Sequence, residues 1–153
     1  MAASTPLARS NDETQIRQLI EDWRRALSNR DLDKLIQHYS PDVVYFDAVP
    51  PYQLRGAAAY RRTWEQMIPH LPARISAEQR DLEITVSGDL ALSHCLTRLV
   101  NADTGETAAA GWVRVTVCYQ RHQASWRVIH EHVSAPFDPM TGKAVVACGP
   151  NPN

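Results

Sequence analysis

The stretch from Trp126 to Pro136 gathers residue types suited to moving protons. It reads as a β-strand. Side chains alternate across a strand, so Trp126, Val128, His130 and His132 are expected on one face, and Arg127, Ile129, Glu131 and Val133 on the other. Imidazoles titrate near neutrality, and a pair of them on an otherwise apolar face can serve as acid, base or oxyanion donor. The other residue of chemical interest is Asp47, which closes the β-rich run starting at Val43. There Val43, Tyr45 and Asp47 share a face. A carboxylate in an apolar cavity has its charged form disfavoured and becomes a usable base near neutral pH. The expected chemistry is proton transfer, with Asp47 as base and His130, His132 or Tyr45 as the acid or oxyanion donor. A second reading stays open: Asp47 accepts N–H bonds from the loop at Pro50 and Pro51, and the histidines only satisfy buried donors.

Other chemistries find less support in the residues. His130 and His132, with Asp47 and His94, have the ligand types of a three-ligand zinc or iron site, but no stricter spacing accompanies them, and no metal is assigned. Cys95, Cys118 and Cys148 show no Cys-x-x-Cys spacing, so they are expected as free thiols. No phosphate-binding glycine loop, dinucleotide fingerprint or nucleophile elbow is present, so no cofactor and no covalent catalysis are expected. The net charge is −1, from 16 basic and 17 acidic residues scattered along the chain, which argues against a nucleic-acid partner. The first ten residues lack the apolar run of a signal peptide, and no later segment has bilayer-spanning length. A cytoplasmic protein without a membrane partner is therefore the expectation.

The elements that must position these residues follow from periodicity. Ser10 and Glu13 have capping-box spacing ahead of Ile16, Leu19, Ile20, Trp23, Ala26 and Leu27, which predicts a helix to about Asn29. Asp31 can cap a second helix with Leu32, Leu35, Ile36 and Tyr39 on its apolar face, stopped at Ser40-Pro41. After the strand at Val43 and the loop to Gly56, Ala57, Tyr60, Trp64 and Met67 mark the buried stripe of a third helix. From Ala73 onward the pattern alternates, with turn residues around Gly88, Gly105 and Gln123. That predicts four strands in an antiparallel meander. Helices in front and strands behind indicate an α+β domain over residues 11–136, with a disordered start at 1–10 and an irregular extension at 137–153.

Taken together, the helix pair, the strand ending in Asp47, the loop from Val49 to Gly56, the third helix and the meander closing on Trp126–Ser134 resemble the SnoaL-like, ketosteroid-isomerase-like branch of the nuclear-transport-factor-2-like superfamily. The resemblance covers about residues 12–136 and implies a cystatin-like α+β roll: a cone-shaped curved antiparallel sheet wrapped around three N-terminal helices, with a pocket in its mouth. It implies a small-molecule-binding domain, an isomerase, cyclase or dehydratase, or else a non-catalytic dimeric association domain with a vestigial pocket.

Alternation then supplies the expected pocket. Tyr45, His94 and Trp112 are placed on its walls and Tyr60 and Trp64 on its floor, with Arg114 pairing an acidic or phenolic oxygen of a small apolar or aromatic ligand. The ketosteroid isomerase pattern uses an aspartate base with a tyrosine and a second, protonated acid. Here Glu131 alternates outward, so that second acid is not expected. The outer face would carry Arg127, Ile129, Glu131 and Val133 beside Val113, Val115, Val117 and Tyr119. Such an apolar strip predicts a homodimer.

Overall fold

A computed structural model describes residues 6–146; residues 1–5 and 147–153, and with them parts of the expected disordered start and irregular extension, lie outside the described residues. Helix α1 (Pro6–Ser28) begins before Ser10, so Ser10 is inside the helix and not its cap. Asp31 caps α2 (Leu32–Leu35), accepting the Lys34 backbone N–H at 3.1 Å. This helix is a single turn, because the chain turns into β1 (Tyr39–Phe46) earlier than helical spacing suggested. Tyr39 is therefore a strand residue. A two-residue strand β2 (Leu54–Arg55) pairs with β1 before α3 (Ala57–Met67), whose buried residues are Tyr60 and Trp64. The remaining strands are β3 (Ile75–Ser87), β4 (Leu90–Asn101), β5 (Thr107–His122) and β6 (Ser125–Ser134).

The sheet runs in the order β2-β1-β6-β5-β4-β3. The meander from β3 to β6 is antiparallel, as expected, but β6 lies parallel to β1. That pairing needs the long crossover through α3, and it brings the ends of β1 and β6 side by side, with Phe46 opposite His132. Helix α1 lies along the inner face of the sheet. Arg24 donates to the carbonyl of Ala77 on β3 at 2.9 and 3.1 Å, and Arg121 of β5 pairs with the buried Asp12 at 2.7 Å. Ile16, Leu27, Leu35, Tyr60, Tyr119 and Trp126 fill the core between these layers. Among the described residues, no helix is long and apolar enough to cross a membrane.

Of the sheet's irregularities, two bear on the site. On β5, Ala110 and Gly111 both have positive φ, and the carbonyl of Val146 packs where a Gly111 Cβ would stand. Glycine is thus required there by space as well as by backbone angle. The chain returns to that point through Phe137, bridged to Ala144, and Val146 accepts the Trp112 N–H at 3.3 Å. On β6, Val128 opposes Tyr119 while His130 opposes Cys118, leaving Ile129 as an extra residue. This is a β-bulge, and it reverses the facing of every residue after it.

Candidate functional site

The bulge at Ile129 decides which residues of β6 reach the interior. Trp126 and Val128 face inward as alternation predicts, but beyond the bulge the inward positions pass to Glu131 and Val133. Glu131 sits opposite Tyr45 of β1 and Val117 of β5 and is 5% exposed. The expectation that Glu131 points outward is overturned. So is the inward placement of the histidines: His130 and His132 lie on the outer face against the Phe46 ring, at centroid distances of 4.8 and 5.5 Å. His130 Nδ1–H donates to the Val44 carbonyl at 2.8 Å, a structural bond between neighbouring strands.

The same inversion holds on β4 and β5. His94 is exposed and pairs with Glu83 at 3.6 Å. Trp112 is not part of the cavity lining and has the guanidinium groups of Arg80 and Arg98 over its ring, at 5.0 and 5.1 Å from the centroid, and Arg114 is exposed. Val113, Val115, Val117, Tyr119 and Val133, expected as an outer strip for a partner subunit, instead line the cavity. Apolar side chains there are withdrawn from water by the fold itself, so the strip gives no ground for a dimer.

The cavity has a volume of about 270 Å³. Its apolar wall is made by Leu19, Ile20 and Trp23 of α1, Trp64 and Met67 of α3, and the valines of β5. Tyr45, Asp47 and Trp64 are part of the lining, while Tyr60 lies behind it, fully buried and stacked against Tyr39 with centroids 4.6 Å apart. Two carboxyl groups face this space. Asp47 accepts the Ala48 N–H at 2.7 Å, together with the Val49 N–H and the Tyr45 hydroxyl. Burial raises its pKa, and those three donors pull against the rise by favouring the charged form. Glu131 has fewer donors. Burial is the largest influence on it, the Tyr39 hydroxyl bonded to its Oε2 opposes that, and the Asp47 charge adds to it; the carboxyl titrates at about 7.

Behind Glu131 runs a chain of hydroxyl groups. The Tyr39 and Tyr60 oxygens are 3.2 Å apart, and Trp23 Nε1–H donates to the Tyr60 oxygen at 3.2 Å. With Tyr39's single proton committed to Glu131, the contact between the phenols is completed by Tyr60's proton. Tyr39 is thereby fixed by helix α1 through Tyr60, and its hydroxyl fixes one carboxyl oxygen of Glu131. Burial also drives the Tyr39, Tyr45 and Tyr60 pKa values upward, so all three remain neutral donors.

Glu131 and Tyr39 were not among the residues expected at the site, though two signals mark the inward facing of Glu131. Val113, Val115, Val117 and Tyr119 form the more apolar face of β5, which should be the inner one. On β6, the apolar residues Val128 and Val133 are five positions apart, an odd spacing that strict alternation cannot place on one face without a bulge. Among the described residues no group of three or more His, Cys, Asp and Glu is arranged to hold a metal ion.

Comparison with solved structures places this geometry in a known setting. The chain is 40% identical to an NTF2-like protein of unknown function from Pseudomonas putida KT2440, covering 92% of this chain and 98% of that one with a TM-score of 0.83. A candidate dehydratase of the NTF2-like family from Streptomyces avermitilis matches at 18% identity and a TM-score of 0.71, over 84% of this chain and 99% of its own. A cystatin-like fold of unknown function from Nostoc punctiforme matches at 17% and 0.70, over 90% and 96%. At these lower identities the likeness shows the fold. No curated protein matches the sequence. The family model of the SnoaL-like domain matches residues 16–138, and the chain belongs to that family within the NTF2-like superfamily.

Proposed function

We propose that this protein is a small-molecule enzyme that catalyses proton transfer on a carbonyl compound without a cofactor, as an isomerase, cyclase or dehydratase. The observation that carries the proposal is the Glu131 carboxyl, buried in an apolar cavity, held by Tyr39 and facing the same space as Asp47. Paired acids whose surroundings push their pKa values apart divide naturally into base and acid. Asp47, with three hydrogen-bond donors, is the ionised member and takes a proton from the carbon next to the carbonyl. The C–H electron pair moves toward the carbonyl, and Glu131, carrying a proton near neutral pH, supplies it to the developing oxyanion. The resulting enol then collapses in one of three ways. As its hydroxyl proton returns to Glu131, the enol takes the Asp47 proton at the far carbon of a conjugated double bond, or attacks a second carbonyl of the same molecule whose oxygen takes the Asp47 proton, or expels a hydroxyl from the next carbon, which leaves as water with the Asp47 proton. His130 and His132 take no part in this scheme.

The test is hydrogen exchange at the carbon next to a ketone carbonyl, followed by proton NMR in deuterium oxide. Cyclohexanone and β-tetralone are suitable probes. Wild-type protein should accelerate exchange of at least one, and Asp47→Asn and Glu131→Gln should each reduce the acceleration by about a hundredfold or more, the usual contribution of a positioned acid or base. Absence of any acceleration by folded wild-type protein at millimolar ketone refutes the proposal.

A further inference from the structure

We infer that the cavity takes a neutral carbonyl compound of one or two rings and rejects both carboxylate-bearing and tetracyclic ligands. That the ligand reacts rests on the acid–base reading above; its size and charge rest on the cavity.

Size comes first. An apolar cavity of about 150 Å³ holds one benzene, so equal loading of the present cavity, about 270 Å³, accommodates a ligand of about eleven non-hydrogen atoms. That is a fused bicyclic ketone. A tetracyclic skeleton could be buried whole only by displacing Trp23, Trp64 and Val117, which are packed against the core.

Charge is decided by what faces inward. The arginine expected to anchor an anion, Arg114, is exposed on the opposite side of the sheet. Among the described residues, two that line the cavity can carry positive charge, and each is already engaged. Arg98 pairs with Glu78 at 2.7 Å and lies over Trp112, and His38 bonds through Nε2 to Asp22 at 3.0 Å. Against them stand Asp47 and Glu131, with Tyr39, Tyr45 and Thr97 as neutral polar groups. A ligand carboxylate would be a third acid in a poorly solvated space without a free cation to meet it. A carbonyl oxygen meets the protonated Glu131 carboxyl, a donor that suits it, while the Tyr39 and Tyr45 hydroxyls are already spent on Glu131 and Asp47.

The experiment is a calorimetric binding series on the full chain. The probes are cyclohexanone, β-tetralone, a tetracyclic steroid ketone, and the ring carboxylate and ring carboxamide of cyclohexanone, which stay within the cavity's size. Expected are binding of β-tetralone at least tenfold tighter than cyclohexanone, through the added buried carbon, and no tighter binding of the steroid than of the tetralone. The carboxamide should bind at least tenfold better than the carboxylate of nearly equal size. Carboxylate binding equal to or tighter than carboxamide binding overturns the charge inference, and steroid binding tighter than tetralone binding overturns the size inference. The exchange assay keeps the two proposals apart. Selective binding of β-tetralone without hydrogen exchange sinks the enzymatic reading and leaves the ligand class standing. Exchange of a steroid or carboxylate ketone in preference to β-tetralone does the reverse.

Discussion

The burial of Glu131 has a consequence for stability that can be measured without knowing any ligand. An ordinary glutamate titrates near 4.5, and this one at about 7 in the folded protein, with burial the chief cause and the Asp47 charge a smaller one. Below pH 4.5 the carboxyl is protonated in both folded and unfolded chains. Between pH 4.5 and 7 the unfolded chain releases its proton while the folded chain keeps it, so rising pH favours the unfolded chain. Above pH 7 both forms are ionised, and the folded protein bears the full cost of a buried charge. A shift from 4.5 to about 7 corresponds to about 3 kcal/mol. Glu131→Gln keeps the shape and an acceptor for the Tyr39 hydroxyl but cannot ionise. The stability of wild type relative to this variant should therefore fall by about 3 kcal/mol between pH 4.5 and pH 8. For a chain of this size that equals about 6–12 °C in relative melting temperature. Asp47, also raised, contributes a slope of the same sign in both proteins and largely cancels in the difference. Urea unfolding of the two proteins at several pH values reads this directly. A difference constant to within about 0.5 kcal/mol across the range would refute the placement of Glu131 in the apolar cavity.

Other predictions concern its surroundings. Tyr39→Phe removes the hydroxyl that favours the Glu131 carboxylate, so the carboxyl should titrate above its wild-type value of about 7, observed by carbon NMR of the labelled side chain; a downward movement contradicts the assigned bond. His132→Ala, on the outer face, should change ketone exchange by less than about twofold, since it supports no group in the cavity. A loss of tenfold or more would return the histidine to the site. Gly111→Ala should destabilise by about 1–3 kcal/mol, because its φ of +95° and the Val146 carbonyl both exclude a methyl group. Chemical denaturation measures this, and an unchanged midpoint would mean that the return of the chain over β5 is not fixed.

Much of the architecture was legible in local pattern. Helical spacing around Ile16, Leu27, Tyr60 and Trp64 marked the core faces of α1 and α3, Asp31 was a readable cap, and the turn glycines separated the strands. Alternation on β1 put Tyr45 and Asp47 on the inner face, where both line the cavity. The parallel neighbour of β1 was not legible, because strand order depends on where α3 returns the chain, a non-local matter. Leu32, Leu35 and Ile36 precede Tyr39 at helical spacing, which locally favours a helix through it. Its pairing with Val128 makes it a strand residue.

The side chains of the sequence determine the kind of chemistry available: two acids, several phenols and a set of valines and tryptophans able to keep water from them. They also determine that the chain folds as a SnoaL-like α+β domain over residues 16–138. Which acids face the cavity is decided by tertiary structure. The extra residue at Ile129 shifts the facing of β6 by one and turns Glu131 in and His130 and His132 out, with pairing resumed beyond it on both edges, at Cys118 of β5 and Val44 of β1. A strand has a period of two, so one inserted residue exchanges its faces; the odd spacing of Val128 and Val133 calls for such a residue, and only the pairing with β5 fixes it at Ile129.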